Sequence, residues 1–384
     1  MGFLGYRRPD GSVGVRNHVV VLSSVSCANG VVDGIGREVS GVKAVTHIEG
    51  CGRGFTDVAL ATRTLVGVLR HPNVYGALVV GLGREVIKAA GLVQQAADCG
   101  KPLEFLEIQE TGGTLRSIAT GAGIVRPMVA AAAGQAREAA DFEELMLAME
   151  CGGSDSLSGL TANPCIGKVS DWLVGQGGRV IMSEITEFIG AEAKVAAHCE
   201  RPDVRARMMA LLADQRRRVK DSLGPLAHLV IAPGNAEGGL SSIEEKSMGS
   251  FAKAGTTMIR QVVEYAERPT ERGLIVMDTP GSDVFSMTGK IAAGAQILLF
   301  STGRGSPAGS PLVPVVKIAS NTRLFERMPD DMDFDAGQAV AGRSLDDLGA
   351  DLRDLVVEVA NGRPTKPELT RTELFAINST SEPF

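Results

Sequence analysis

Aromatic side chains are scarce in this sequence of 384 residues, in which Phe, Trp and Tyr together make up 4%. The core must therefore be built from Val, Ile, Leu and Ala, and the 47 glycines indicate many tight turns between short elements. With 44% hydrophobic residues, the chain is long enough for two globular domains of ordinary size. This composition is typical of layered α/β folds.

Long apolar runs and an excess of cations are also missing. No stretch approaches the roughly 20 apolar residues that a membrane span requires, and no apolar run follows the charged residues at the start. The net charge of −6 and the pI near 5.6 leave no surplus of Lys and Arg to neutralise a phosphate backbone. We therefore expect a cytoplasmic protein whose partners include neither a membrane nor a nucleic acid.

Several common motifs are absent. None of the six cysteines forms a CxxC pair, which argues against a zinc ribbon or a disulfide scaffold. The segments GIGREV and GLGREV lack the third glycine of a dinucleotide fingerprint, and the GK dipeptides at Lys168 and Lys290 do not fit the phosphate-loop pattern. A nicotinamide-dependent dehydrogenase and an NTPase are thus disfavoured.

Apolar runs alternate with helix-like segments along the chain. Strands are predicted near 19–23, 43–47, 76–80 and 103–108, with helices between them, and an Ala-rich segment at 130–140 ends this unit. The second unit begins with a strand near 144–149 and continues through the runs VIMSEI, HLVIAPG, LIVMDTPG, ILLFSTG and VPVVKIASN, with an Arg-rich amphipathic helix at 203–221. This order predicts an α/β fold of two packed Rossmann-like units, 1–140 and 141–384, with mainly parallel sheets, helices on both faces and an active-site cleft between the units.

Three cysteines follow predicted strands, where the turns of a parallel sheet can meet in one pocket. They are Cys27 in SCANG, Cys51 in EGCGRG and Cys151 in ECGGSD. Thiolates favour soft or borderline metals such as iron, although a buried structural thiol is the commoner role of cysteine. His47 also stands at a predicted strand end and is a candidate ligand or general base, or else a structural hydrogen-bonding group.

A glycine-rich loop, STGRGSPAG, follows the run ILLFSTG. Exposed backbone N–H groups and the fork of Arg304 are suited to holding an anion such as a carboxylate. Glycine in tight turns has a conformational explanation as well, so each loop alone is a weak signal.

Taken together, many segments resemble the altronate and galactarate dehydratase family in order and spacing from Gly5 to Gly337. The matching segments are GYRRPDGSVGVRNHV, SCANG, GCG, RTLVGVLRHPNV, IQETGGT, ECGGSD, NPCIG, SEITEFIGAE, PGNAEGGLSSIEEKSMG, MDTPGSD, FSTGRGSPAGSPLVPVVKIASN and MDFDAG. The resemblance implies an iron-dependent hydro-lyase that removes water from a sugar acid and yields a 2-keto-3-deoxy acid.

The resemblance leaves two iron arrangements open. One is an iron–sulfur cluster on Cys27, Cys51 and Cys151, and the other is a single Fe(II) on a mixed set with His47 and carboxylates such as those of Glu184, Glu187 or Asp155. We expect Arg304 to bind the substrate carboxylate, Lys246 or His47 to transfer the proton, and Lys317 to stabilise charge, with Glu184 also in the catalytic set. The predicted substrate contacts are Arg16, Asn17, Arg84, Ser154, Asp155, Asn235 and Thr302.

Two departures from the family pattern bear on the reaction. Arg84 stands in GLGRE where relatives commonly have cysteine, and the small N-terminal domain of the single-chain dehydratases has no counterpart here. The second departure predicts a separate small subunit and an oligomeric enzyme. The related sulfolactate sulfo-lyases, which expel sulfite, are the alternative enzyme, and a non-catalytic sugar-acid-binding protein is the alternative outside enzymes.

Overall fold

The computed structural model describes residues 2–224 and 237–384, and these residues form three β-sheets surrounded by helices. The strands are β1 Gly2–Arg7, β2 Val13–Gly14, β3 His18–Ser23, β4 Val42–Val45, β5 Val74–Gly81, β6 Leu103–Glu107, β7 Glu138–Asp141, β8 Met146–Cys151, β9 Arg179–Met182, β10 Ile259–Val263, β11 Gly273–Met277, β12 Ile297–Thr302, β13 Val315–Ala319 and β14 Phe334–Asp335. The α-helices are α1 Asn29–Glu38, α2 Phe55–Arg70, α3 Ala89–Ala96, α4 Ile108–Thr111, α5 Thr114–Gly134, α6 Ala162–Gly175, α7 Glu192–Ala197, α8 Pro202–Leu223, α9 Ile243–Phe251, α10 Asp283–Ala292, α11 Thr322–Arg327, α12 Leu345–Ala360 and α13 Lys366–Thr370.

The first sheet contains four parallel strands in the order β4-β3-β5-β6. Alternate residues of β3 enter different cores, because successive side chains of a strand point to opposite faces. Val19 and Val21 pack in a cluster with α1 and α5, whereas Val20 and Leu22 pack with α2 and α3. Helices therefore cover both faces of the sheet, as the alternating pattern predicts.

The second sheet contains seven parallel strands in the order β10-β11-β9-β8-β12-β13-β14. Its strands alternate in the same way, with Leu147 and Met149 of β8 in one apolar cluster and Met146 and Ala148 in another. The second of these clusters also contains Val20 and residues of α2. The two sheets thus share a core, and the predicted α/β fold with parallel sheets is confirmed.

Helices α2 and α10 pack against each other where the two units meet. A Cβ at Gly67 would lie 2.2 Å from the Ala292 carbonyl oxygen, so the absence of a side chain permits this close approach. Gly67 and Ala292 both lie in the last turns of their helices, and Thr56 in the first turn of α2 lines one cavity with Gly281, just before α10, so the helices run in the same direction. Their first turns, and the loops before them, therefore face the same side of the molecule.

A small antiparallel sheet, β2-β1-β7, was not predicted. Helix α5 ends at Gly134, inside the Ala-rich segment, and β7 pairs with Gly2 to Gly5 of the first strand. Three of the four residues of β7 are exposed, so this edge strand has little hydrophobic alternation from which it could be recognised. The predicted run HLVIAPG and the site residue Asn235 lie outside the described residues.

Candidate active site

Three buried acidic side chains meet at the carboxyl end of the seven-stranded sheet. Cys151 is the last residue of β8, Glu184 follows β9, and Glu187 lies in the 3-10 turn Ile185–Phe188. One ligand atom from each of the three lies within 4.8 Å of the other two, and each residue is at most 5% exposed. The main-chain N–H of Cys151 also donates to Glu184 Oε2 at 3.1 Å. The three residues, called here the acidic cluster, offer one sulfur and two carboxylates to a single point.

Helix α9 and the turn after it direct polar groups at the acidic cluster. Lys246 Nζ is 3.1 Å from Glu187 Oε1, and Ser250 donates to Glu187 Oε2 at 2.6 Å. Lys253 Nζ lies 2.9 Å from Cys151 Sγ and 3.5 Å from Glu184 Oε2, and its side chain is 1% exposed. The spacing of four and three residues places all three on one side of the helical segment.

Glu184 has a left-handed backbone conformation, with φ of 66° and ψ of 62°. Non-glycine residues seldom adopt this conformation, and such strain is concentrated at functional sites. Its N–H donates to Thr279 Oγ1 at 2.9 Å, while its carboxylate accepts from Cys151. These contacts fix the backbone and direct the carboxylate towards the sulfur.

The electrostatics of the cluster depend on two ammonium groups. Burial and the carboxylates of Glu184 and Glu187 raise the pKa of the Cys151 thiol well above its usual range. Burial acts to raise the pKa of Glu187 too, but the charges of Lys246 and Lys253 outweigh it and lower that pKa to about 2. Glu187 is therefore ionised, and Cys151 keeps its proton until a further cation stabilises the thiolate.

A second group of buried charges lies behind the acidic cluster. Lys290 donates to Glu150 Oε2 and to Ser183 Oγ, at 2.6 and 2.7 Å, and also to the Met149 carbonyl. Burial and the charge of Glu184 raise the pKa of Glu150 well above its usual range. Glu150 Oε1 has no hydrogen-bond partner in the described part of the chain, which is uncommon for a fully buried oxygen.

Lys317, a predicted catalytic residue, is also buried in this region. Its Nζ lies 3.1 Å from the centroid of the Phe300 ring and donates to the Ala308 carbonyl at 3.0 Å. Burial lowers the pKa of Lys317 to about 7, and burial together with Glu184 raises the pKa of Asp283 to about 6. Lys317 does not line the cavity beside the acidic cluster that is described below, and its role in stabilising charge stays a prediction.

A cavity of about 280 Å³ opens beside the acidic cluster. Lys246 and Ser250 form part of its wall, and both contact Glu187. Ser154 and Asp155, two of the predicted substrate contacts, also line the cavity. The cavity is therefore the candidate binding place for a small polar molecule that reaches the cluster.

The loop after β8 is joined to the loop after β12. The Gly153 carbonyl accepts from the N–H groups of Gly303 and Arg304, at 2.8 and 3.1 Å. Thr302 is 1% exposed and caps its own turn by accepting from the Gly305 N–H at 2.9 Å. Arg304 Nη2 forms an ion pair with Glu237 at 2.7 Å. Sequence reasoning thus placed Arg304 on a loop that does contact the loop of Cys151.

Cys27 and Cys51 lie outside the acidic cluster. Both are exposed, and they belong to loops that follow β3 and β4, joined by a hydrogen bond from the Ser26 N–H to the Glu49 carbonyl. Arg84, on the loop after β5, is exposed and has no ion pair or hydrogen bond with any described residue. These loops face the same side of the molecule as Cys151, but among the residues described only Cys151, Glu184 and Glu187 form a group with metal-ligand spacing.

His47 is held by hydrogen bonds on both ring nitrogens. Nε2 lies 2.7 Å from the Ser23 carbonyl oxygen, and Nδ1 accepts from the Glu49 N–H at 3.1 Å. Burial lowers the pKa of His47. The ring supports the turn before Cys51 in this structure, and its part in proton transfer stays a prediction.

Arg16 and Asn17 are used in contacts within the chain. Arg16 forms a two-point ion pair with Glu368, at 2.7 and 2.9 Å, and donates to the carbonyls of Val359 and Arg363. Asn17 donates to the Ala132 carbonyl at 2.7 Å. These contacts give both residues a structural role, and substrate contact by them stays untested.

Two domain families match the chain, and together they cover most of it. Residues 5–133 match D-galactarate dehydratase/Altronate hydrolase, second domain, and residues 142–382 match D-galactarate/Altronate dehydratase, C-terminal. The chain belongs to the D-galactarate/altronate dehydratase family. The resemblance seen in the sequence motifs is confirmed, and so is the prediction of an enzyme of the lyase class.

Relatives within this family carry more than one activity in their names. The chain is 34% identical to altronate dehydratase of Bacillus subtilis (strain 168) over 98% of its own length and 77% of that protein. It is 33% identical to galactarate dehydratase (L-threo-forming) of Escherichia coli (strain K12), over 94% of its length and 73% of that protein. It is also 34% identical to (2R)-sulfolactate sulfo-lyase subunit beta of Chromohalobacter salexigens, over 95% of its length and 94% of that protein.

The last of these names includes the word subunit. Whether the present family member also has a separate small subunit is not tested, and that subunit stays a prediction.

No helix among the described residues combines the length and the apolar character that crossing a membrane requires.

Sequence reasoning missed Lys253 and Ser250 and weighed Glu187 only as one possible ligand. The signal for the first two was the spacing of Lys246, Ser250 and Lys253, which puts three polar groups on one face of a predicted helix. The burial of Lys253 could not be predicted from the sequence, because charged side chains on helices are usually exposed to solvent.

Proposed function

We propose that this family member is a hydro-lyase that removes water from a sugar acid at the cavity beside the acidic cluster, giving a 2-keto-3-deoxy acid. The observation that carries the proposal is the convergence of Cys151, Glu184 and Glu187 beside a polar cavity whose wall includes Lys246. Family membership supports the same reaction class.

The chemistry requires help at two atoms. Loss of the proton next to a carboxylate places negative charge on the carboxylate oxygens, and the hydroxyl on the next carbon is a poor leaving group unless it is protonated or bound by a Lewis acid. Fixed cations near the cavity can stabilise the charge on the carboxylate oxygens. A metal ion or a proton donor can assist the departure of the hydroxyl.

The acidic cluster fits a bound iron ion. A thiolate with two carboxylates is a donor set suited to a borderline divalent metal, and three protein ligands leave coordination positions for the substrate. The raised pKa of Cys151 is consistent with a thiol that ionises only when a cation binds. Fe(II) held by Cys151, Glu184 and Glu187 would act as a Lewis acid on the departing hydroxyl.

The charge balance of the site favours an acid as its ligand. Two carboxylates face the two ammonium groups of Lys246 and Lys253, so the cluster with a protonated thiol is close to neutral. A divalent cation that displaces the thiol proton adds one net positive charge. A substrate carboxylate in the cavity would neutralise that charge.

The roles of the chain's own residues follow from their positions. Lys253 holds Cys151 and Glu184, while Lys246, an ammonium group at the cavity wall, is placed to donate a proton. Ser250 fixes the Glu187 carboxylate. Arg304, on the loop joined to Gly153, is proposed to bind a carboxylate of the substrate.

The test is an anaerobic assay after loading with Fe(II), using altronate and galactarate and measuring a 2-keto-3-deoxy acid. Cys151→Ser and Glu184→Gln should each lower bound iron and reduce kcat by more than about tenfold, because each removes a ligand. The matched control is Cys165→Ser, which alters a buried cysteine outside the acidic cluster. Full iron content and full turnover in Cys151→Ser would refute the assignment, and chelation should abolish activity reversibly in the wild type.

A second candidate function is release of sulfite from 3-sulfolactate. It is favoured by the 34% identity to the (2R)-sulfolactate sulfo-lyase subunit beta, of which the chain covers 94%. The same proton abstraction and the same Lewis acid would serve, because sulfite replaces hydroxide as the leaving group on the carbon next to the one that loses its proton. Sulfite release from 3-sulfolactate, without a keto acid from altronate or galactarate, would select this reaction over the first.

A further inference from the structure

A cavity of about 570 Å³ lies between the two units, on the side of α2 that contacts α10. Its wall combines residues of α2 and α3 with residues of the loop after β10 and of the end of α10. Three of the wall residues are arginines, namely Arg63, Arg70 and Arg268, and we call them the arginine triad. None of the described residues that line this cavity belongs to the acidic cluster or to the 280 Å³ cavity.

Arg63 and Arg70 belong to one face of α2. They stand four residues before and three residues after Gly67, so all three lie on the same side of the helix. Arg63 is exposed and makes no ion pair or hydrogen bond with any described residue. Arg70 Nη2 donates to the Gln95 carbonyl and to Asp98, whose side chain is 73% exposed. Arg70 Nε is buried and has no partner in the described part of the chain, which is uncommon for a buried donor.

Arg268 approaches the same stretch of α2 from the second unit. A Cβ at Gly294 would lie 4.0 Å from Arg268 Nε. Gly294 follows Ala292 by two residues, and the Ala292 carbonyl oxygen is the atom that a Cβ at Gly67 would meet at 2.2 Å. Arg268 is exposed and has no ion pair or hydrogen bond with the rest of the described chain. Its guanidinium group therefore lies near the contact between α2 and α10, which the other two arginines flank.

The wall of this cavity carries more positive than negative charge. Glu267 is the one acidic residue among the described wall residues, and its Oε2 accepts from the Glu264 N–H at 2.7 Å. His71, which follows α2, also lines the cavity, and its pKa is lowered to about 3, chiefly by burial and further by the charges of Lys101 and Arg268. Positive charges near the end of α2 are therefore close enough to oppose a further proton.

The carbonyl end of α2 is partly offset by a cation. Lys101 Nζ donates to the carbonyls of Leu69 and His71, at 3.3 and 2.6 Å, and an ammonium group at this position balances the partial negative charge of the helix end. Burial lowers the pKa of Lys101 to about 7, and the charge of Arg268 contributes to that shift. A bound anion would favour the charged form of this lysine.

The loop that carries Arg268 is strained at Ala266, another wall residue. The φ of Ala266 is 59°, and among the other described non-glycine residues only Glu184 and Arg371 have a positive φ. Strain of this kind persists where the surrounding structure enforces it and is concentrated at catalytic and binding sites. Glu184 belongs to the acidic cluster, and Ala266 marks the cavity between the units in the same way.

We propose that the arginine triad binds a phosphoryl group, carried by inorganic phosphate or by a phosphate ester, and that the bound anion joins the two units. Guanidinium groups from two separate segments suit the several oxygens of a tetrahedral phosphoryl group, whereas a planar carboxylate offers only two oxygens. The apolar wall residues Ala59, Val66 and Ala293 can contact the carbon part of an ester. This inference does not depend on the proposed reaction, because the two sites share no residue.

Calorimetry with inorganic phosphate and with glucose 6-phosphate, at constant ionic strength, tests the proposal. Arg63→Ala and Arg268→Ala should each raise the Kd by about tenfold or more, because each removes charge-assisted hydrogen bonds to the phosphoryl oxygens. Arg205→Ala is the matched control, since Arg205 is an exposed arginine of α8 outside the cavity and the net charge changes equally. The ligand that binds more tightly identifies the source of the phosphoryl group. Equal affinity for succinate would overturn the assignment to a phosphoryl group.

Thermal unfolding gives an independent measurement. The bound ligand should raise the Tm of the wild type and of Arg205→Ala, and should raise it less in Arg63→Ala and Arg268→Ala, because a ligand that binds only the folded chain stabilises it. No binding of either phosphoryl compound by the wild type, or equal affinity in all four proteins, overturns the proposal. Loss of binding in Lys246→Ala but not in Arg63→Ala would also overturn it, since the anion would then lie in the 280 Å³ cavity.

Discussion

Lys253 shows how a single side chain sets the character of this site. A fully buried ammonium group is costly unless anions surround it, and here the carboxylates of Glu184 and Glu187 do so, with the sulfur of Cys151 as a third contact. Burial acts to lower the pKa of Lys253, but these three neighbours outweigh it and raise that pKa well above its usual range. The lysine therefore holds the acidic side chains together.

Lys317 is the residue whose protonation should be visible in stability. Burial lowers its pKa to about 7 in the folded protein, against 10.5 when it is exposed. Between these values the unfolded chain binds more protons than the folded one, so the free energy of unfolding gains a contribution that rises with pH. Between about pH 7 and about pH 10.5, the free energy of unfolding of the wild type should therefore rise relative to that of Lys317→Met.

Chemical denaturation at a series of pH values measures this difference. Lys220→Met is the matched control, because Lys220 is exposed at the end of α8. A flat difference between wild type and Lys317→Met over that interval would show that Lys317 is not buried as described.

At the level of elements, two loops and one helix build the site. The ends of β8 and β9 supply the ligands, because neighbouring parallel strands bring their carboxyl ends to one edge. Helix α9 supplies the counter-charges from one face. The order of the strands therefore decides which loops meet, and β8 pairs with β9 and β12 although β12 is far away in sequence.

The crossing of α2 and α10 is the element-level feature most open to test. Gly67→Ala would place a Cβ 2.2 Å from the Ala292 carbonyl oxygen, so the helices must separate, and we expect a destabilisation of about 1–3 kcal/mol. Gly123 lies in helix α5, where an added Cβ would have no neighbouring atom within 4 Å among the described residues, so Gly123→Ala should instead stabilise by roughly 0.5–1 kcal/mol.

Thermal and urea unfolding of the two variants give the comparison. Both changes add the same methyl group to a helical glycine. We nevertheless expect the free energy of unfolding to fall in Gly67→Ala and to rise in Gly123→Ala. Stabilisation by Gly67→Ala would mean that the two helices do not approach as closely as the structure indicates.

For the whole molecule, Arg16 links distant parts of the chain. Its fork binds Glu368 near the carboxyl end, and it also donates to the end of α12. Lysine cannot make the same two-point contact, so Arg16→Lys should lower the free energy of unfolding by about 2–4 kcal/mol. The same change should leave KM for the substrate unaltered if the role is structural.

Measurements of unfolding and kinetics on one preparation decide between the two roles of Arg16. Glu368→Gln is the companion variant, because it weakens the same ion pair from the other side. A raised KM in Arg16→Lys with unchanged stability would instead support the predicted substrate contact.

The sequence by itself determined the α/β class, the parallel sheets and the family. Alternating strands and helices with period-specific apolar patterns restrict the chain to this class, and long motifs in a fixed order identify the relatives. It also marked Cys151, Glu184 and Lys246, because they stand in turns and helix starts within those motifs.

The tertiary structure alone decided which of the marked residues come together. Cys27, Cys51 and Cys151 look alike in sequence, yet only Cys151 lies on the sheet whose neighbouring strand brings Glu184 and Glu187 to its sulfur. Lys253 is buried against Cys151, His47 is bonded to Ser23, and Arg16 is bonded to Glu368. Each of these partners is distant in sequence, so no local pattern predicts the contact. A local sequence sets the type of each element, but strand order and long-range packing set the distances on which chemistry depends.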